Sequence, residues 1–123
     1  LCEQLKNEGY DLYIVTNGVA ATQARRLKKS GLLPFFTEVF VSEAVGYQKP
    51  KKEYFDYVLN AVAEKDKSKI LLVGDSLSSD IQGAMNAELQ CVWLNLFGDD
   101  LPEKYKPTYT INDIREVKNL ISA

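Results

Sequence analysis

A short apolar run that ends in Gly-Asp constrains the fold of this chain more than any other stretch. Residues 70–73 read Ile-Leu-Leu-Val and lead straight into Gly74 and Asp75. A continuous apolar run bounded by a turn signal is typical of a strand buried on both faces, as in parallel α/β sheets. The run therefore predicts a central parallel strand with Asp75 at its carboxyl end, where open α/β sheets bind their ligands.

Strand-like and helix-like segments alternate along all 123 residues. The predicted strands cover residues 12–15, 38–41, 70–73, 91–94 and 109–111. Helical patterns lie between them, and residues 42–48 are expected to form a loop. The clearest amphipathic stripe follows Pro50 and consists of Tyr54, Phe55, Val58, Leu59 and Val62. This alternation predicts an α/β fold with a mostly parallel sheet, and the length allows one domain at most.

Composition excludes several classes of function. The formal net charge of -2 gives no reason to propose a nucleic acid polymer or an anionic membrane as a partner. No apolar run approaches the ~20 residues that a membrane-spanning helix needs. Cys2 and Cys91 suggest neither a disulfide framework nor a zinc site, so a cytoplasmic location is expected. The chain has no histidine, which excludes a Ser-His-Asp or Cys-His mechanism within it.

Chemically useful side chains follow three successive predicted strands. The segment 16–18, Thr-Asn-Gly, follows the first strand, Lys49 follows the loop after the second, and Asp75 and Asp80 follow the third. The carboxyl ends of parallel strands share one edge of the sheet, so these groups are expected to lie along it. A hydroxyl with backbone N–H groups, an ammonium and a carboxylate pair suit a phosphoryl group held with Mg²⁺.

Each of these signals also has a plainer interpretation. Thr-Asn-Gly is more often only a turn, and a single Lys49 is more often a solvated surface lysine. Asp75 and Asp80 could instead cap the next helix, because Asp is favoured at helix starts. From spacing alone, capping and metal binding are equally good explanations of the two acids. Only the three strand ends taken together favour phosphoryl chemistry.

Three motifs resemble those of the haloacid dehalogenase (HAD) superfamily, in the same order and with typical spacing. Val-Thr-Asn-Gly at 15–18, Gly-Tyr-Gln-Lys-Pro at 46–50 and Gly-Asp-Ser-Leu-Ser-Ser-Asp at 74–80 are similar to its motifs II, III and IV. The resemblance covers essentially the whole chain and implies a three-layer Rossmann-like core, of which residues 1–123 would form a part. Lys-Pro-x-Lys-x-x-Phe from Lys49 and the run at 87–95 resemble the pyrimidine 5′-nucleotidase branch of HAD phosphatases.

The resemblance also implies roles for individual residues. The catalytic roles fall to Thr16, Lys49, Asp75 and Asp80, and substrate binding falls to Thr16, Asn17, Gly18 and Lys49. Thr16 would bind phosphoryl oxygens, and Lys49 would stabilise the charge of the nucleophile and of a phosphoaspartyl intermediate. Asp75 would ligate Mg²⁺ directly, and Asp80 would bind it through water or orient Lys49. The implied activity is a Mg²⁺-dependent phosphatase for a small phosphorylated substrate, a nucleoside monophosphate in this branch.

The chain departs from the family pattern in what it lacks. Motif I, Asp-x-Asp on the first core strand, is absent, and so is the helical cap that lies between motifs I and II. Motif I supplies the nucleophile and the general acid of the family, so this chain alone is expected to have no phosphatase activity. Its opening at Leu1 suggests a fragment, whose strands 12–15 and 70–73 should lie about two strand spacings apart, near ~9–10 Å.

Two further interpretations compete with an incomplete phosphatase. A chain that truly begins near Leu1 could be a non-catalytic binding or regulatory module, which the upstream sequence would decide. A receiver-type domain is a poor match, because such domains carry their acidic cluster after the first strand. Within the superfamily, Asp75 favours a phosphatase over a haloacid dehalogenase, which needs no metal. Glu88 stands where the family usually has Gly, and a left-handed backbone there would cost about 1 kcal/mol.

Overall fold

The computed structural model describes residues 1–121 and divides into two compact units, Leu1–Gln48 and Lys49–Ala123. The first unit contains α1 (Cys2–Asn7), β1 (Tyr13–Thr16), α2 (Ala20–Ser30), a 3₁₀ turn (Leu33–Phe35), β2 (Glu38–Val41) and α3 (Ser42–Val45). The second unit contains α4 (Lys52–Ala61), a 3₁₀ turn (Lys67–Lys69), β3 (Leu71–Gly74), a π-helical turn (Leu77–Ile81), α5 (Gln82–Ala87), β4 (Gln90–Leu94), β5 (Tyr109–Ile111), a 3₁₀ turn (Ile114–Glu116) and α6 (Val117–Ile121).

The first unit is built on a parallel strand pair. Tyr13 of β1 lies opposite Glu38 of β2, and Thr16 lies opposite Val41. The strands are parallel, so the chain must cross back between them, and α2 forms that crossover. The ring centroids of Tyr13 and Phe40 are 6.0 Å apart, within the range of favourable aromatic contacts. The carboxyl ends of both strands therefore lie at one edge, which places Thr16 beside the start of α3.

The second unit is a parallel three-stranded sheet in the order β3-β4-β5. Alternate residues of β4 point to opposite faces of the sheet. Cys91 and Trp93 join one buried cluster with Ile81 and Ala84 at α5. Val92 joins a second cluster with the buried residues Ile111 and Val117. Helices thus cover both faces of the sheet, as in a three-layer α/β fold.

Close packing of α4 against α5 completes this unit. The stripe predicted on α4 is buried at Tyr54, Phe55 and Val58, and Val62 just beyond the helix is buried too. The Phe55 ring lies against Gly83 of α5 so closely that a Cβ at residue 83 would clash with it. Gly83 therefore allows the two helices to approach, and α4 in turn fixes the position of α5.

The predicted α/β class with parallel strands is confirmed, and the predicted strand limits differ by at most one residue from those observed. Two expectations are wrong. Residues 42–45 form the helical turn α3 within the predicted loop, where too few residues exist for a periodic pattern. Strand β3 is only half-buried, because it lies at the edge of its three-stranded sheet, whereas β4 is buried between two neighbours.

Strands β1 and β3 belong to different sheets, and no pairing joins them within residues 1–121. Direct pairing would have contradicted the strand order of the HAD fold, and the separation of two strand spacings stays a prediction. Cys2 and Cys91 are both free. None of the helices within the described residues is both long enough and apolar enough to cross a membrane.

Candidate active site

A buried ion pair between Lys49 and Asp80 forms the centre of the site in the second unit. The Nζ atom of Lys49 lies 2.5 Å from Oδ1 of Asp80, and both side chains are 9% exposed. A buried charged group is costly unless it is paired and hydrogen-bonded, so removing either partner would leave the other without its compensating contact. Lys49 precedes α4 and Asp80 follows β3, so the pair also connects two segments that are distant in sequence.

The second carboxylate oxygen of Asp80 is held by the backbone. The N–H of Ser76 donates to Oδ2 of Asp80 at 3.2 Å. Gly74, the last residue of β3, lies directly against the Asp80 side chain and leaves room for it only because it has no Cβ. Both carboxylate oxygens are therefore engaged, one by an ammonium and one by an amide. Such a carboxylate is fixed in orientation and is suited to holding Lys49 in place.

Ser76, and not one of the two acids, caps the helical segment after β3. Its hydroxyl accepts a hydrogen bond from the N–H of Ser79 at 3.2 Å. Its carbonyl accepts hydrogen bonds from the N–H groups of Asp80 at 2.9 Å and Ile81 at 3.1 Å. The last of these closes the wide turn of a π-helix, a geometry that is frequent at functional sites. The capping role considered for Asp75 and Asp80 is thus filled by a serine between them.

Asp75 presents an exposed carboxylate at the carboxyl end of β3. Among the hydrogen bonds within residues 1–121, none engages its side chain, whereas its backbone carbonyl accepts one from Nε1 of Trp93 at 3.2 Å. Mg²⁺ in phosphoryl-transfer sites is usually bound by one or two carboxylates, with water and substrate phosphates completing its shell. Asp75 fits that role as a single ligand. The described residues contain no cluster of three acidic, cysteine or histidine side chains that could enclose a metal.

The loop after β1 carries the predicted phosphoryl-binding residues in the first unit. Thr16 ends β1, and its hydroxyl donates to the carbonyl of Asn17 at 3.2 Å. Gly18 has a φ of 143°, a backbone conformation that favours glycine. The side-chain amide of Gln23 donates to the Asn17 carbonyl at 3.2 Å and would clash with a Cβ at Gly18. The Thr-Asn-Gly segment therefore bends at Gly18 directly after the strand end, and its phosphoryl-binding role stays a prediction.

Sequence reasoning missed two residues that support this loop. The hydroxyl of Ser42 accepts a hydrogen bond from the N–H of Gly18 at 2.9 Å and donates to its carbonyl at 3.3 Å. Glu43 accepts from the N–H of Ala20, at the start of α2, at 3.3 Å. A carboxylate is favourable at a helix N-terminus because of the helix dipole. Ser-Glu directly after a strand is a helix-start signal that could have identified both residues.

The predicted site residues thus fall into two groups. Thr16, Asn17 and Gly18 form one loop of the first unit. Lys49, Asp75 and Asp80 lie in the second unit, where Lys49 and Asp80 are in direct contact. The parallel strands, with helices on both faces of the second sheet, define a Rossmann-like α/β core. The sequence pattern of the family described as haloacid dehalogenase-like hydrolase matches residues 1–94. The chain belongs to this family.

Known relatives agree with this assignment. The crystal structure of YfnB from Bacillus subtilis bound to magnesium superimposes with a TM-score of 0.95 and 42% identity, over 99% of this chain and 53% of that one. The pyrimidine 5′-nucleotidase YjjG of Escherichia coli is 42% identical over 108 residues, 88% of this chain and 48% of that protein. The pyrimidine 5′-nucleotidase PynA of Streptococcus pneumoniae is 38% identical over 117 residues, 95% of this chain and 49% of that protein. The chain spans about half the length of the relatives it matches.

Proposed function

We propose that residues 1–123 are the carboxyl-terminal part of the core of a Mg²⁺-dependent HAD phosphatase that hydrolyses nucleoside 5′-monophosphates. In this proposal an aspartate outside these residues attacks the phosphorus atom, the ester P–O bond breaks, and the nucleoside leaves with a proton from the general acid. Water then hydrolyses the phosphoaspartyl intermediate to inorganic phosphate and the free aspartate. The ion pair of Lys49 with Asp80, in a unit whose Asp75 carboxylate is exposed at a strand end, is the observation that carries the proposal. Similarity to two pyrimidine 5′-nucleotidases supports the substrate class.

The predicted site residues each have a definite task in this proposed reaction. Thr16 and the N–H groups after it would hold the phosphoryl oxygens. Lys49 would compensate negative charge on the nucleophile and on the phosphoryl group, while Asp80 keeps its ammonium in position. Asp75 would ligate Mg²⁺, which when bound supplies Lewis-acid stabilisation of the phosphoryl charge. The bond-making aspartate and the general acid would come from a motif I segment, so the chain by itself should be inactive.

The test uses the intact protein with a panel of substrates: pyrimidine and purine nucleoside 5′-monophosphates, a triose phosphate and p-nitrophenyl phosphate. Release of inorganic phosphate is measured over a range of Mg²⁺ concentrations, with EDTA as the metal-free reference. We expect the highest kcat/KM for a pyrimidine nucleoside 5′-monophosphate. A preference for the triose phosphate would show that nucleoside 5′-monophosphates are the wrong substrate class. The proposed phosphatase reaction would still stand. No turnover of any phosphate ester would favour the non-catalytic module.

The residue roles are tested by two variants of the same protein. Asp75→Asn removes the charge of a metal ligand, so the Mg²⁺ concentration for half-maximal activity should rise. Turnover at limiting Mg²⁺ should therefore fall sharply. Lys49→Ala should lower kcat by ~10²–10³-fold, the usual effect of removing one charge-stabilising donor. Near-normal activity of Asp75→Asn at limiting Mg²⁺ would disprove the ligand role. Turnover of Lys49→Ala at the rate of the unaltered protein would disprove the role of Lys49.

A further inference from the structure

The side chain of Asn86 on α5 is hydrogen-bonded to the backbone next to Lys49. Its Nδ2 atom donates to the carbonyl of Pro50, 36 residues earlier in the chain, at 3.0 Å. One helical turn before Asn86, the amide of Gln82 donates to Asn86 Oδ1 at 2.8 Å. The two bonds require the same orientation of the Asn86 amide, with the oxygen towards Gln82 and the nitrogen towards Pro50. Gln82 therefore orients Asn86 as a donor to Pro50.

The same helical stretch also holds the other end of the ion pair. Asp80 lies in the π-helical turn Leu77–Ile81, and α5 continues from it without a break at Gln82. Asp80 contacts the ammonium of Lys49, and Asn86 holds the backbone one residue after it. Lys49 is thus attached at its backbone end and at its side-chain end to one short segment.

The link from Asn86 to Lys49 passes through few rotatable bonds. Pro50 connects the bonded carbonyl to Lys49, and its ring fixes φ at about −65°. Side-chain entropy would otherwise allow a lysine many positions of its ammonium, since four torsions separate Nζ from the backbone. Fixing the backbone at Pro50 and the ammonium at Asp80 removes most of these alternatives.

We propose that Asn86, oriented by Gln82, is a positioning residue for Lys49. Its hydrogen bond to Pro50 holds the Lys49 backbone where the ammonium reaches both Asp80 and the phosphoryl group of the substrate. The inference rests on the proposed role of Lys49 in phosphoryl transfer. It assigns Asn86 no contact with the substrate, so loss of the bond should act on kcat and leave KM nearly unchanged.

A double-mutant cycle in the intact protein tests this inference. Asn86→Ala should lower kcat about tenfold, because misplacing a catalytic group by about 1 Å can cost up to ~10²-fold. In a Lys49→Ala background the same change should have no further effect, because the group that Asn86 positions is then absent. Asn86→Asp keeps the size of the side chain and an acceptor for Gln82, but places a carboxylate oxygen against the Pro50 carbonyl. It should lose at least as much activity as Asn86→Ala.

Asn60→Ala is the matched control, because Asn60 is exposed on α4 and no hydrogen bond within residues 1–121 engages its side chain. Its kcat should be unchanged. The thermal midpoint of each variant is measured to show that it is folded. If Asn86→Ala does not fold, Asn86→Asp replaces it in the double-mutant cycle. Lys49→Met replaces Lys49→Ala if the latter does not fold.

The outcomes separate the two proposals. If Asn86→Ala lowers kcat by the same factor with and without Lys49, the role of Asn86 is purely structural. Full activity of Asn86→Asp would lead to the same conclusion. Either result would overturn the inference while leaving the phosphatase proposal in place. Normal turnover of Lys49→Ala would instead overturn the proposed role of Lys49, and the positioning role of Asn86 would fall with it.

Discussion

Gly74 lies so close to the side chain of Asp80 that a Cβ at residue 74 would stand less than 3.0 Å from the Cβ, Cγ and Oδ2 atoms of Asp80. Nothing in the backbone of Gly74 itself requires glycine, because its φ is not positive. The requirement is steric and comes from the acid that follows it in the turn. The glycine of the Gly-Asp motif thus makes room for the carboxylate that holds Lys49.

Gly74→Ala should therefore act on the ion pair. We expect Asp80 to be displaced from Lys49 and kcat to fall by ~10²-fold or more, comparable to removing one charge-stabilising donor. Val117→Ala is the control for lost stability, because Val117 is buried in the cluster with Val92 and Ile111, on the other face of the sheet from Asp80 and α5. Both variants should lower the thermal midpoint, but only Gly74→Ala should lower the activity per folded molecule. Equal specific activities would contradict the steric role of Gly74.

Replacing Glu88 should stabilise the protein. Glu88 has φ 58° and ψ 42°, and it ends α5 in the left-handed conformation anticipated from the family pattern. The N–H of Leu89 donates to Ala84 and that of Glu88 to Met85, the bonding of a helix end at which glycine is preferred. Relief of the Cβ strain, about 1–2 kcal/mol, should outweigh the added freedom of the unfolded chain, so Glu88→Gly should raise the free energy of unfolding by up to about 1 kcal/mol.

Urea denaturation measures this change, with Glu103→Gly as the control. Glu103 is likewise exposed, but its φ is not positive, so added backbone freedom in the unfolded chain should lower stability there. A lower urea midpoint for Glu88→Gly would show that the left-handed glutamate is not strained. Phosphatase activity should not change in either variant.

Acid should weaken the start of the last helical segment. Hydrogen bonds from the Arg115 side chain, and then from its backbone N–H, lower the pKa of Asp113 from 3.8 to about 2. Because the pKa is lower in the folded state, this contribution to stability is fully present above about pH 4. It is lost as the pH falls through about 2. The effect should be small, because solvent screens these exposed groups.

The comparison of Asp113→Asn with the unaltered protein isolates this contribution. Asn also caps helices well, so the variant should keep its cap but lose the ionisation. Urea midpoints measured from pH 5 down to pH 2 should fall more steeply in the unaltered protein. Parallel curves would mean that Asp113 and Arg115 do not interact in solution.

Local sequence patterns predicted much of this fold. The Ile-Leu-Leu-Val run located β3 to within one residue, and the amphipathic stripe after Pro50 predicted the buried face of α4. These features depend on neighbours in the chain, so their signals are local. By contrast, no periodic pattern marks the helical turn at 42–45. The side chains of its first two residues, Ser42 and Glu43, bond to the backbone of Gly18 and Ala20, which lie more than 20 positions earlier.

Contacts between distant residues could not be predicted from local patterns. Lys49 and Asp80 are separated by 31 positions, Gly18 and Ser42 by 24, and Pro50 and Asn86 by 36. The contact between Lys49 and Asp80 is expected only from the family resemblance, as one of the two roles implied for Asp80. The other two result from the packing of elements against each other, for which a single sequence gives no direct signal.

The hydrogen bond from Trp93 to the carbonyl of Asp75 has a practical consequence. Trp93 is the sole tryptophan of these 123 residues, and its indole is almost wholly buried. Indole emission shifts in wavelength and intensity when a hydrogen bond or a nearby charge changes. Selective excitation of this side chain therefore gives a label-free optical signal from the strand end that carries the acid. The proposed binding of Mg²⁺ at Asp75 should therefore be measurable by fluorescence titration without any substrate turnover.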